Sequence, residues 1–172
     1  MAVRKLGLSL IMVGGVLLAA TLLFGLRLGN IPPQMQEGPS LPDQIAGYSL
    51  IRKSTGEQAI AELNNMHGRD FPFQSGAVGG YGAGQQATLW VSGLERESDA
   101  AEMVSAMRER IALGNSPFKP LDVWQDGDRM VFELVGMGQK HYYFRSELLV
   151  VWLAVDANLA DEALAEVLIY YR

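Results

Sequence analysis

The chain has no cysteine and only two histidines among its 172 residues. Without thiols there can be no disulfide, no thiolate metal ligand and no cysteine-linked lipid. Zinc centres draw at least three protein ligands, mostly from His, Cys and carboxylates, so His67 and His141 would need Asp or Glu to complete one. Cations are also scarce. From residue 43 onward there are eleven Lys and Arg against eighteen Asp and Glu, a balance of −7. Nucleic acid and anionic lipid both require clustered positive charge, so neither a nucleic-acid partner nor flat adsorption on a membrane is expected of this region. No internal repeat and no low-complexity region is present apart from a short proline-rich stretch.

What is present, and dominates, is an uncharged run of twenty-one residues from Leu6 to Leu26. At 1.5 Å per residue such a helix matches a hydrocarbon core about 30 Å thick. Arg4 and Lys5 precede the run and only Arg27 follows closely, so the positive-inside rule puts the amino terminus in the cytoplasm and the remainder outside it. A removable signal would have a shorter apolar region ending in a small-x-small site. Here the run ends Leu22-Leu23-Phe24-Gly25-Leu26, which favours a retained anchor over residues 1–28. Gly15 and Ala19, and Thr21 and Gly25, have the spacing that lets membrane helices approach closely, but small residues are common in such helices in any case.

Residues 29–42 hold four prolines and two glycines and read as an extended spacer. Residues 43–172 are long enough for one domain with its own core. A strand is expected over Ile45–Lys53. Ser54-Thr55-Gly56-Glu57 has the spacing of a capping box, so a helix over 57–67 should follow, with Gly68 placed to end it. Gly76–Gly93 reads as a hairpin. Ala100, Met103, Val104, Met107 and Ile111 form an amphipathic stripe on a helix over 98–113. A meander follows through Leu121–Gln125, Met130–Val135, His141–Arg145 and Leu148–Val155. The last of these is eight unbroken apolar residues, which suits the middle of a sheet. Asn158 is placed to cap a final helix over 159–170. This order predicts an α+β fold: a two-layer antiparallel sheet with helices, its inner β-β-α-β part resembling ferredoxin-like topology by analogy of fold alone.

No group of residues carries a reaction. Gly76, Gly79, Gly80, Gly82 and Gly84 lack the spacing of a phosphate loop and lead into a strand rather than a helix. Ser116-Pro-Phe-Lys119 matches the S-x-x-K of serine acyl enzymes, but it follows a helix stop and has no K-T-G partner. Asp70 lies near His67 in sequence, and Glu133 is the carboxylate most able to approach His141, yet the spacing dictates neither pairing. Tyr142, Tyr143, Phe144 and Trp152 concentrate aromatic surface on two neighbouring strands, with Tyr142 and Phe144 pointing opposite to Tyr143. Cross-strand packing beneath a loop or the final helix is the expected use, and a docking surface the alternative. No catalytic, cofactor-binding or metal-ligating residue is assigned.

The functional expectation is a single-pass membrane protein, held in the bilayer through residues 6–26, that presents its domain outside the cytoplasm. It would act as a non-enzymatic accessory or interaction subunit with a protein partner or as a homo-oligomer. The alternative is a ligand-binding or cofactor-independent enzymatic domain whose pocket His67, Asp70, Tyr81 or His141 would line.

Overall fold

The computed structural model describes residues 38–67, 71–114 and 116–172. The apolar run, the anchor over 1–28 and most of the spacer lie outside the described residues, as do Gly68 and Asp70. Among the described residues no helix is long and apolar enough to cross a membrane.

The fold is α+β. In chain order the elements are β1 (Gln44–Ile45), β2 (Tyr48–Thr55), α1 (Gly56–His67), β3 (Ser75–Tyr81), β4 (Ala87–Gly93), α2 (Glu97–Ala112), β5 (Lys119–Asp126), β6 (Arg129–Gly136), β7 (Gln139–Ser146), β8 (Leu149–Val155), a 3₁₀ turn (Ala157–Leu159) and α3 (Ala160–Tyr170). The strands form one sheet in the order β1-β2-β3-β4-β8-β7-β6-β5, and every pairing is antiparallel. A ferredoxin-like arrangement would put two parallel strands side by side through its split β-α-β units. Here no parallel neighbours occur among the described residues, and α2 carries the chain from β4 past β8, β7 and β6 to β5 at the far edge, so the expectation for the inner β-β-α-β part is corrected.

Both faces of the sheet are covered, which also corrects the expectation of two layers. On one face Ala77, Val91, Val151, Phe144 and Val131 stand in register across five strands, all of them fully buried. They pack with Ala163, Leu164 and Val167 of α3. On the other face Val78, Trp90, Trp152, Tyr143 and Phe132 form the parallel row. Phe132 stacks on Tyr143 at 4.7 Å, and Tyr143 on Trp152 at 5.3 Å, with ring planes 10° and 11° apart. Val104, Met107 and Ile111 of α2 cover this ladder, while Leu63 of α1 joins Ala100 and Met103 of α2 over Val150. The aromatic concentration is therefore core on both faces, with α2 as well as the final helix lying over it. The glycines of β3 serve the same packing: a Cβ at Gly76 would meet the Leu63 side chain at 3.0 Å and the Ile60 backbone at 3.2 Å, so α1 rests directly on the strand.

Three local expectations are corrected. Ala46 and Gly47 both take positive φ, as a two-residue type I′ turn requires, and this divides the expected first strand into β1 and β2. The capping box does not form. Ser54 is a buried residue of β2 paired with Val78, and its hydroxyl has no hydrogen-bond partner among the described residues. Asn158 sits inside the 3₁₀ turn, and α3 starts at Ala160 without a side-chain cap.

The position of β8 yields a test. Val151→Asp puts an unpaired carboxylate under α3 and should cost about 3 kcal/mol or more. Trp152→Asp should also be strongly destabilising, through the lost ladder. Leu148→Asp, at an exposed turn position, should stay within about 0.5 kcal/mol of wild type. Denaturant unfolding of the three variants checks this, and equal midpoints would refute the two-faced core.

Candidate functional site

The residues singled out from the sequence do not converge. Tyr81 lies in the core shared with α3, whereas His141 packs on Phe118 and Trp152 of the opposite face. His67 ends α1, where Nδ1 approaches the Leu63 carbonyl at 2.7 Å and the ring meets Phe71 edge-on at 5.0 Å. Asp70 lies outside the described residues. Ser116 accepts the Phe118 backbone N–H at 3.2 Å, and Lys119 opens β5, so the S-x-x-K segment is a turn running into a strand. Among the described residues no three His, Asp or Glu side chains are placed to hold a metal ion.

The nearest approach to a reactive cluster is Glu133, Lys140 and Tyr142. Glu133 pairs with Lys140 at 2.7 Å and accepts the Tyr142 hydroxyl at 3.3 Å, rather than approaching His141. Burial, reinforced by the neighbouring Glu133 charge, pushes the Tyr142 phenol up to about 12. The Glu133 bond also holds the Lys140 ammonium above its usual range. A phenol that resists ionisation and an amine that resists deprotonation are poor bases near neutrality, so the trio works as a cross-strand ion pair.

His141 is buried and fully engaged. Its Nδ1 accepts the Trp152 indole N–H at 3.1 Å, and its Nε2 lies 3.0 Å from the Gly136 carbonyl. Indole nitrogen only donates and a carbonyl only accepts, so the neutral Nε2–H tautomer satisfies both contacts. Burial lowers the His141 pKa, opposed by the Gly136 bond. A proton on Nδ1 would face the Trp152 donor.

A cavity of about 730 Å³ opens where the β5–β6 and β7–β8 turns meet the end of α3. Asp126, Asp128, Arg129, Arg145, Glu147 and Arg172 lie on its wall. Two ion pairs engage part of this charge. Arg145 pairs with Glu97 at 3.1 Å, and the Ser146 hydroxyl donates to the Tyr171 carbonyl at 2.7 Å. Arg129, only 11 % exposed, pairs with Asp126 at 2.7 Å and donates to the Leu168 and Tyr171 carbonyls at 2.7 and 2.6 Å. Its guanidinium also lies 5.1 Å from the centre of the Phe144 ring. It thus satisfies carbonyls left free at the carboxyl end of α3. The sequence signal for this role was slight: an Asp and an Arg three apart across a Gly-Asp turn.

The described domain is defined by a single antiparallel eight-stranded sheet between helices and by a polar cleft at one end of that sheet. Comparison with protein families, curated proteins and solved structures gave no match.

Two measurements follow. The unfolded chain protonates His141 below about pH 6.5, and the folded chain only lower still. This imidazole therefore leaves stability undiminished above about pH 6.5 and erodes it as the pH falls toward the folded value. His141→Gln, which keeps an acceptor and a donor, should lose less stability than wild type between pH 7.5 and about 5.5. Equal losses in paired denaturation curves would contradict the assignment. Arg129→Met should cost about 1–3 kcal/mol by orphaning the Leu168 carbonyl and unpairing Asp126, the Tyr171 carbonyl keeping the Ser146 hydroxyl, and Arg129→Lys should recover only part of it. Amide exchange near the end of α3 should rise in both variants.

Proposed function

We propose that the chain is a single-pass membrane protein whose domain lies outside the cytoplasm and serves as a non-enzymatic accessory or interaction subunit of a membrane assembly. The observation that carries this reading is the uncharged run Leu6–Leu26, with Arg4 and Lys5 before it and only Arg27 after. The state of the reactive side chains supports it. His141, Tyr142 and Lys140 each hold the fold together through named partners, and Ser146 and Arg129, which line the cleft, are bonded to carbonyls at the end of α3. Further support comes from apolar surface left in water at Leu121, Val135 and Met137, near β5 and the β6–β7 turn, of the kind that protein contacts cover.

Protease added to intact cells or spheroplasts should digest the domain, and mass spectrometry of the membrane fraction should find residues 1–28 still attached. A protected domain, or a mature chain beginning near residue 27, would overturn the proposal.

A further inference from the structure

We propose that Asp122 closes the free edge of β5 against strand addition by a second copy of this chain. The sheet ends differently at its two sides. On one side the two-residue β1 covers only the start of β2 and leaves a short edge beyond Leu50, whereas on the other β5 offers eight residues and, among the described residues, pairs only with β6. Long edge strands with apolar side chains invite edge-to-edge pairing. Leu121 and Val123 on β5 are 53 % and 50 % exposed.

Three features of β5 oppose pairing. Pro120 has no N–H to give. The register with β6 shifts between Pro120 and Asp122, which interrupts the ladder. The third feature is specific: Asp122 Oδ1 accepts the backbone N–H of Val123 at 2.8 Å. An N–H committed to a side chain of its own strand does not serve the β6 ladder, so Val123 presents its N–H to the open edge. In an antiparallel pair the N–H and C=O of one residue point to the same side, and successive residues alternate. A second copy related by a two-fold axis must set outward residues against outward residues. The central register is Val123 opposite Val123 of the copy, the two exchanging both bonds. The Asp122 carboxylate occupies the donor that this register needs, and a second carboxylate would arrive from the copy. Apolar side chains thus favour the pairing while one carboxylate withholds its central hydrogen bond.

The test compares the full-length chain in mild detergent with its Asp122→Ala and Asp122→Asn variants. Asp122 is exposed, so neither change threatens the core. Asp122→Ala should self-associate at concentrations about tenfold or more below those of wild type, by light scattering on eluted peaks. Exchange of its Val123 amide should slow as protein concentration rises. Asp122→Asn keeps an oxygen acceptor and should behave as wild type. If Asp122→Ala keeps the wild-type mass across the range, the carboxylate guards nothing and the proposal fails. If Asp122→Asn associates as readily as Asp122→Ala, charge rather than the Val123 bond is responsible, and the proposal fails in that form too.

Discussion

Everything in this fold answers to β8 having water on neither side. Val151, Leu153 and Val155 face α3, and Val150 and Ala154 face away from it; all five are buried. Fully burying one such side chain stabilises by about 1.5–3 kcal/mol. The gain is realised only if each face of the sheet has a helix to lie against it. Hence α2 must bring Val104, Met107 and Ile111 over the ladder of rings, and α3 must return after the last strand to close the opposite side. The two neighbours of β8 are set by the same demand. β4 and β7 carry the apolar residues that extend both rows, β3 and β6 continue them, and only the outer strands β2 and β5 become largely exposed.

A core sealed on both faces leaves polar groups with few choices, and the buried ones are mostly paired with one another. The Trp152 indole finds His141, and the Tyr81 and Tyr171 hydroxyls donate to the Pro42 and Ser40 carbonyls. Burial raises the pKa of both phenols, which keeps them protonated as donors. Groups that would be reactive in an open cleft are here the fastenings of a dry interior. Ser54 is the exception, a buried hydroxyl without a partner among the described residues.

The sequence showed the elements well and their arrangement less well. Period-two and period-three-to-four patterns located the three helices and most strand positions to within a residue or two, because burial imposes those periods directly. Leu148–Val155 was recognisable as a central strand for the same reason. The second helical layer was not recognised, although an apolar run on both strand faces is its signature. The hairpin at Ala46-Gly47 was hidden because alanine at positive φ is uncommon. Ser54-x-x-Glu57 misled because pairing of β2 with β3 continues through Thr55, leaving no free residue to act as a cap. Of the candidate site, the separation of His141 from Glu133 was invisible: adjacent strands put Glu133 opposite Tyr142 and Leu134 opposite His141, a register no spacing rule supplies.

The first described residues are fastened to the last helix. Residues 38–42, which the composition assigns to the spacer, lie against the domain. Ser40 receives the Tyr171 hydroxyl at 2.8 Å, Leu41 is buried, and Gly38 sits where a Cβ would overlap the Gly76 carbonyl. A few residues on, the Ala46 N–H donates to Glu166 of α3 at 2.7 Å. A pull on the chain ahead of residue 38 would therefore not peel off β1 first. It would load Tyr171 and Tyr81 and pass from them into α3 and the middle of the sheet. The fold takes tension at its centre, through the same strands and helix that carry its core.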